Sequence, residues 1–163
     1  MVRAKSAARF LLAVAASTAL AHPTRAGIDT DVLTVTATVL SACSLSGGAT
    51  LNFGTYTSGQ TNNADVNGTI NFVNCSGTLT FALDGGSSGN VNARQMRNGA
   101  SILNYQLYRT PPRTAIWGMG ADAQVHLQLG GQSGSVTVYG RIPGGQVVPE
   151  GTYTDTVNVT LTF

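Results

Sequence analysis

The sequence predicts an all-β protein, an antiparallel sandwich formed by one domain. About seven to nine short runs alternate apolar and polar residues, as strands with one buried face do. The runs recur at a spacing of about eight to twelve residues, and clusters of Gly, Pro, Asn and Ser separate them. Beyond residue 26, no stretch keeps a helical periodicity over about ten residues. These three observations favour strands throughout the mature chain.

Residues 1–26 have the composition of a cleaved signal peptide. A basic start precedes an apolar run over residues 10–20, which is too short to span a bilayer. The basic residues are Arg3, Lys5 and Arg9. Small-x-Ala sites predict cleavage after Ala26, or alternatively after Ala21, and a retained membrane anchor is the less favoured interpretation.

The charge balance changes when the signal peptide is removed. Cleavage after Ala26 takes away four of the nine Lys and Arg residues and none of the seven acidic ones, so the net charge falls from +2 to −2. A nucleic-acid-binding surface is therefore not supported. Charged residues make up 10% of the chain, against roughly 25% in an average soluble protein. Weakly charged, Thr-rich strands are less protected against association with other strands.

The first strand is predicted within Gly27–Cys43, where Leu33, Val35 and Val39 alternate with threonines. Further runs of the same kind lie at Leu51–Tyr56, Thr69–Cys75, 79–83, Ser101–Arg109, 115–119, 125–129, 136–139 and Tyr153–Phe163.

Local glycine pairs and face assignments complete the strand prediction. In the run Thr69–Cys75, Ile70 and Phe72 are assigned to one face and Val73 and Cys75 to the other. The pairs at 85–86 and 130–131 are predicted turns, and the second is expected to reverse the chain.

Few residues suggest catalysis. His126 is interpreted as an outward-facing or hydrogen-bonded strand residue, with a general base as the alternative. Arg94 and Arg97 lie in a Gly/Ser/Asn-rich connection and are interpreted as solvated loop residues, with binding of an acidic ligand as the alternative. The carboxylates at turns and strand entries are expected to cap backbone amides; they are Asp84, Asp122, Glu150 and Asp155. We expect no enzyme, no cofactor and no metal site.

The two cysteines, Cys43 and Cys75, favour a disulfide because the chain is predicted to be exported. Free or reactive thiols are the alternative. Closing a loop of about thirty residues would stabilise the fold by roughly 3–4 kcal/mol.

Several motifs, taken in order, resemble a known family. The chain reads Leu-Asn-Phe-Gly-Thr-Tyr at 51–56, Ile-Asn-Phe-Val-Asn-Cys at 70–75 and Phe-Ala-Leu-Asp-Gly-Gly at 81–86. It continues with Arg-Gln-Met at 94–96, Leu-Asn-Tyr-Gln-Leu-Tyr at 103–108, Ile-Trp-Gly at 116–118, Gly-Arg-Ile-Pro-Gly-Gly-Gln at 140–146 and Gly-Thr-Tyr-Thr-Asp-Thr-Val at 151–157. In this order and spacing the motifs resemble the spore coat protein U family, which includes pilus subunits of archaic chaperone–usher systems.

The resemblance implies an immunoglobulin-like sandwich that lacks its final strand. In such subunits a periplasmic chaperone first fills the gap, and the N-terminal extension of the next subunit then replaces it. An outer-membrane usher exports the growing filament. Because Phe163 is the last residue, we expect no further strand after Tyr153–Phe163. The family's two cysteines match Cys43 and Cys75, which would join the first strand to the second main strand.

The expected organisation is a signal peptide over 1–26, a donor-strand extension over 27–36 and a sandwich domain over 37–163. The expected donor anchors are Ile28, Leu33 and Val35. The expected acceptor groove lies along the C-terminal strand, at Tyr153, Val157, Val159, Leu161 and Phe163.

The expected function is that of a structural subunit of an extracellular pilus or fimbria, for adhesion or biofilm formation. Its expected partners are a periplasmic chaperone, an outer-membrane usher and neighbouring subunits, with no nucleic acid and no transmembrane segment in the mature chain. A secreted spore-coat or matrix protein, or a glycan-binding adhesin module, is the alternative. For the adhesin, Trp117, Tyr108 and Tyr139 are candidate contacts, although they alternate like core residues.

Overall fold

The computed structural model of the protein describes residues 28–39 and 42–163. The predicted signal peptide over 1–26 lies outside the described residues. The described part falls into two units, residues 28–37 and the residues from 38 onward. In the first unit the chain forms no helix or strand, and all of its residues are exposed.

The second unit is built from six strands, all paired antiparallel, so the all-β prediction is confirmed. The strands are β1 (Ser44–Ser46), β2 (Ala64–Leu83), β3 (Arg94–Asn98), β4 (Ser101–Tyr108), β5 (Gln124–Ile142) and β6 (Val159–Thr162). Two single turns of 3₁₀-helix, Gly86–Ser88 and Gly120–Asp122, lie between them. The strand order is β1-β2-β5-β4-β3, with β6 also pairing with β2.

The long strands β2 and β5 form the spine of the sheet, paired from Ala64 opposite Ile142 to Phe81 opposite Gln124. The predicted division of β2 into two strands is wrong, and so is the predicted reversal at Gly130–Gly131. The register shifts around Cys75, and the two glycines lie beside the shift with φ angles of +82° and +61°. Their backbone freedom forms a bulge that bends β5 without ending it.

The same irregularity changes which face of β2 is buried. Ile70 and Phe72 point into the core, and beyond the shift Cys75 and Leu79 do so as well. The parity of the buried positions therefore changes within one strand, at Asn74, whose φ is +55°. Placing Cys75 on the face opposite Phe72 was wrong, because strict alternation does not hold across a bulge.

The core is a single apolar cluster within this unit. Its completely buried members are large: Trp117, Phe72, Phe81, Leu79, Leu83, Ile142 and Cys75 each expose less than 2% of their surface. Trp117 donates its indole N–H to the carbonyl of Phe81 at 2.8 Å, so its polar atom is satisfied. The predicted strand over 115–119 is wrong, since only Ile116 pairs, in an isolated bridge with Tyr108.

Three other segments differ from their predictions. The connection after Gly86 contains a strand, β3, that the sequence did not predict. Residues 51–56 join no strand, and only Val159–Thr162 of the C-terminal run is a strand. The described residues of Gly27–Cys43 form no strand. Residues 51–56 and the described residues of 27–43 have strand-like sequences, but no strand pairs with them.

Candidate functional site: an apolar groove between two facing segments

An apolar cavity of about 260 Å³ lies between residues 49–53 and the C-terminal segment 153–159. Its apolar lining residues are Leu51, Phe53, Ile70, Leu83, Met96, Leu107, Val138, Tyr153, Val157 and Val159. A second cavity of about 620 Å³ shares Leu51, Phe53, Met96 and Tyr153 with it and extends towards residues 148–152. The two cavities together are called the groove below.

The first wall of the groove is the extended segment 49–53. Leu51 and Phe53 lie over Gly140, where an added Cβ would come within 2.8 Å of Leu51 and 2.9 Å of Phe53. The absence of a side chain at Gly140 therefore lets both residues sink towards the core. The Phe53 ring also meets Tyr105 edge-on, with centroids 6.0 Å apart. Within the described chain, no backbone hydrogen bond joins residues 49–53 to a strand.

The second wall is the segment 153–159. Thr154 exchanges two backbone hydrogen bonds with Arg97 of β3, at 2.9 and 3.1 Å, and the carbonyl of Asn158 accepts from the Asp84 amide at 3.2 Å. Backbone groups of alternate residues in a strand point to opposite edges. The backbone bonds of this segment thus come from Thr154 and Asn158. Tyr153 and Val157 line the groove, and within the described chain they form no backbone–backbone hydrogen bond.

The groove therefore has two strand-like segments that face each other without pairing. Of the expected acceptor residues, Tyr153, Val157 and Val159 line the groove. Leu161 is half-buried opposite Phe81, and Phe163 is 58% exposed. The sequence did not assign Leu51 and Phe53 to the groove, although the motif at 51–56 contains both.

Two carboxylates line the groove, Asp155 in the first cavity and Glu150 in the second. Asp155 accepts a 2.6 Å hydrogen bond from the hydroxyl of Tyr105 and two more, each 2.8 Å, from the amides of Ser87 and Thr156. Burial and the bond to Asp155 raise the pKa of Tyr105 well above its usual value, so its hydroxyl remains a donor. The expected capping role of Asp155 is confirmed, and its carboxylate supports the wall.

The sequence suggested that Arg94 is a solvated loop residue, which is wrong, because Arg94 is completely buried. Its guanidinium donates to the carbonyl of Asp84 at 2.9 and 2.7 Å, to that of Trp117 at 2.7 Å, and to the side-chain oxygen of Gln106 at 2.6 Å. Desolvation lowers the pKa of Arg94, and the nearby carboxylates of Asp84 and Asp155 oppose this. We call this set of contacts the Arg94 cluster.

The Arg94 cluster is connected to the second wall through Asp84. While Arg94 holds the Asp84 carbonyl, the Asp84 carboxylate accepts from the backbone and side-chain amides of Asn158, at 2.9 and 2.6 Å. The sequence did not indicate that Arg94 is buried, because Gly, Ser and Asn dominate the neighbouring positions. The pattern that could have indicated a strand here is the alternation of Arg94 and Met96, which are buried and half-buried in β3.

A disulfide joins Cys43 to Cys75, as predicted, across a separation of 32 residues. It holds the start of β1 beside β2, where Ser44 pairs with Val73. The chain on its C-terminal side, which includes Leu51 and Phe53, therefore begins from a fixed point at the register shift.

The expected donor anchors are exposed. Ile28, Leu33 and Val35 expose 94%, 87% and 82% of their surface, and Val32 and Val39 are similar. No residue of 28–39 lies in a helix or strand. Such a concentration of exposed aliphatic side chains on an extended chain is typical of a segment that binds elsewhere.

The remaining candidates for chemistry are structural. His126 is hydrogen-bonded to Gln128 at 3.3 Å and its ring lies 5.6 Å from that of Phe72, which confirms its interpretation as a hydrogen-bonded strand residue. Among the described residues, no group of three His, Cys, Asp or Glu side chains could hold a metal ion. Burial removes Trp117 as a candidate glycan contact. No helix within the described ranges is long and apolar enough to cross a bilayer.

Similar solved structures show the fold. A chain of the chaperone–tip adhesion subunit pre-assembly complex CsuC–CsuE, from archaic chaperone–usher Csu pili of Acinetobacter baumannii, superposes with a TM-score of 0.56 at 25% identity. The match covers 77% of this chain, which spans 40% of that chain's length. The P pilus rod subunit PapA superposes at 0.50 with 19% identity, over 74% of this chain and 97% of its own. These likenesses support the immunoglobulin-like pilin architecture.

The sequence comparisons define the family. Protein U of Myxococcus xanthus is 40% identical over 173 aligned residues, which cover 93% of this chain and 97% of that protein. The model of the Spore Coat Protein U domain matches residues 29–160. The chain therefore belongs to the Spore Coat Protein U domain family.

Proposed function

We propose that this protein is a structural subunit of an extracellular pilus or fimbria of the chaperone–usher type, which polymerises by donor-strand complementation. Residues 27–36 of one subunit would occupy the groove of its neighbour, in the sandwich domain over 37–163. The observation that carries the proposal is the groove itself, where residues 49–53 and 153–157 face each other across an apolar floor without pairing with one another.

An inserted strand would satisfy both walls at once. It would accept and donate backbone hydrogen bonds on each side, and its alternate side chains would fill the apolar floor. Leu33 and Val35 are two residues apart, so both point the same way in an extended chain. Burying them would contribute about 3–6 kcal/mol before the cost of ordering the segment. Ile28 would reach the outer end of the groove.

The geometry of this exchange favours a filament. A segment that enters a groove on the next copy makes a head-to-tail contact between different surfaces, and such contacts propagate unless the ring closes. Until the next subunit arrives, the groove needs another strand. A periplasmic chaperone would supply it, which agrees with the likeness to a chaperone–subunit complex. An outer-membrane usher would export the filament to the cell surface.

The proposed role is structural and not enzymatic, and adhesion or biofilm formation is its expected biological use. The predicted signal peptide over 1–26 would direct the chain to the periplasm first. A secreted coat protein is the second candidate, which the match to the Spore Coat Protein U domain model favours. Both candidates require assembly of many copies. Neighbouring genes for a chaperone and an usher would favour the pilus.

The test is to disable the donor without touching the groove. We expect the double variant L33D/V35D to remain folded but not to assemble, because two carboxylates would enter an apolar floor. The matched control is T34D/T36D, which adds the same charges on the opposite side of the same segment. Filaments would be counted by electron microscopy after release from the chaperone. Normal assembly of L33D/V35D would show that the donor assignment is wrong.

A further inference from the structure

We propose that the first half of β5, Gln124–Leu129, is a second contact surface of the protein. It pairs edge to edge, antiparallel, with the same segment of a second copy of this chain. The surface is separate from the groove, and only its biological setting rests on the proposed function. In that setting the contact joins filaments side by side.

The side chains of this segment are distributed in an inverted pattern. Val125, Leu127 and Leu129 are 59%, 64% and 75% exposed, whereas His126 and Gln128 between them are half-buried. Even positions of β5 face inward along the whole strand: Val136 and Val138 are buried, and the inward residue Leu79 of β2 lies opposite His126. Val125, Leu127 and Leu129 stand at odd positions, so the sequence itself places them outward. A strand that only covers a core places its apolar residues inward. Here they are left available to a partner.

The backbone of the same segment is available too. One edge of β5 pairs with β2 from Gln124 to Ile142, and β4 covers the other edge only at Tyr139–Arg141. Along 124–135, no strand of the described chain pairs with that second edge. An edge with unpaired backbone groups and outward apolar side chains is a template for another strand.

The chemistry of the edge favours an identical strand as its occupant. Residues 123–140 contain no Asp, Glu, Lys or Arg, so two copies can approach without repulsion between like charges. An antiparallel pair of identical strands has a two-fold axis and is complementary to itself. With the axis at Leu127, Val125 of each copy lies opposite Leu129 of the other.

The contact is small, and its size fits a repeated use. Three large side chains from each copy bury less surface than a stable dimer interface does. Isolated subunits therefore pair weakly. A filament presents the same edge once per subunit. Many weak contacts therefore act together and hold two filaments beside each other. A two-fold contact closes on a pair and cannot extend a filament by itself, which distinguishes it from the groove contact.

The first experiment traps the contact through engineered cysteines. The described residues include no free cysteine. Opposed residues in an antiparallel pair have Cα atoms about 4.5–5.5 Å apart, within reach of a disulfide. We expect L127C to form an intermolecular disulfide under mild oxidation, and a mixture of V125C with L129C to form one more readily than either alone.

The outcomes of the crosslinking separate the possible occupants. Absence of crosslinks from all three single variants and from the mixture would overturn the proposal. Crosslinking of L127C to V35C in preference to another L127C would assign the edge to the exposed N-terminal segment and would also overturn it. Because an oxidised pair accumulates even from a weak contact, this test does not require filaments.

The second experiment asks whether the edge joins filaments. L127K places a charge in the middle of the segment, and V147K is the matched control, since Val147 is also apolar and 83% exposed but lies outside the sheet. We expect L127K filaments of normal length with at least about tenfold fewer side-by-side bundles, because each repeat loses its contact. Equal bundling of both variants would overturn the inference, while a lack of filaments in the unmodified protein would contradict the proposed function instead.

Discussion

The Arg94 cluster and the groove lie on the two sides of the C-terminal segment, and they differ in how their polar groups are treated. Around Arg94, the buried carbonyls of Asp84 and Trp117 receive hydrogen bonds from a charged donor. At the groove, Tyr153 and Val157 line a cavity and form no backbone–backbone hydrogen bond within the described chain. The first region is closed and its polar groups are satisfied, whereas the second region is open.

The difference teaches how a sandwich can keep an open groove without collapsing. Groups that lack partners cost free energy, so the wall that carries them must be held from behind. Asp84 does this, because its main chain is bound by Arg94 and its carboxylate binds Asn158. The stability of the closed region is therefore a condition for the binding ability of the open one.

The largest expected effect comes from removing the charge of the closed region. We expect R94M to lower the free energy of unfolding by roughly 3–5 kcal/mol, because the carbonyls of Asp84 and Trp117 and the side chain of Gln106 lose their charged donor. The matched control is R97M, since Arg97 is exposed and, among the described residues, its side chain has one hydrogen bond, to Gln95 at 3.2 Å. Denaturant unfolding of both proteins measures the difference. Equal stabilities would show that the cluster does not support the fold.

A smaller effect is expected from the polar contact within the groove. Y105F removes the 2.6 Å bond to Asp155, and it should lower the free energy of unfolding by roughly 1.5–3 kcal/mol, as a hydrogen bond to a charged group does. Y153F is the control, because that hydroxyl donates to the exposed carbonyl of Pro149. Binding of a peptide with the sequence of residues 28–39 should weaken in Y105F more than in Y153F. The reverse order would contradict the assignment of Asp155 as a support of the wall.

The smallest effect is expected from acid, through the residue that links the two regions. Burial opposes the ionisation of Asp84, but hydrogen bonds from Gly86 and Asn158 outweigh it and hold the pKa of Asp84 below its usual value. A depressed pKa in the folded state contributes stability above the unfolded pKa, and this contribution is lost as the pH falls through the folded value. Between about pH 4 and pH 2, the melting temperature of the unmodified protein should therefore fall more steeply than that of D84N. Parallel curves would show that Asp84 does not carry this pH dependence.

Alternation predicted the strand-rich parts of the fold well, because it reports burial on one face directly. Ile70, Phe72 and Leu107 are buried as their runs indicate. The alternation pattern failed where one residue changes which positions face the core, as at Asn74. It also failed where glycines bend a strand without ending it, as at Gly130. Glycine pairs favour turns and bulges alike, and only the long-range pairing of β2 with β5 decides between them.

The candidate site was predicted in part, for a related physical reason. Tyr153, Val157 and Val159 line the groove, and the run that contains them was the expected wall. The opposite wall, with Leu51 and Phe53, could not be assigned, since a sequence does not show which runs lack neighbours. Arg94 was misread because a buried charge is normally rare, and its partners are carbonyls that any sequence contains.

The bulge at Gly130–Gly131 has a genetic consequence. Because side chains alternate with period two, deletion of one residue from this bulge would exchange the two faces of everything that precedes it in β5. Val125, Leu127 and Leu129 would then turn inward, and His126 and Gln128 would turn to solvent. A single in-frame codon deletion would thus convert the proposed contact surface into a polar one, with no other change in the residues of the strand. Descendants of one gene could in this way differ in whether their assemblies stay separate.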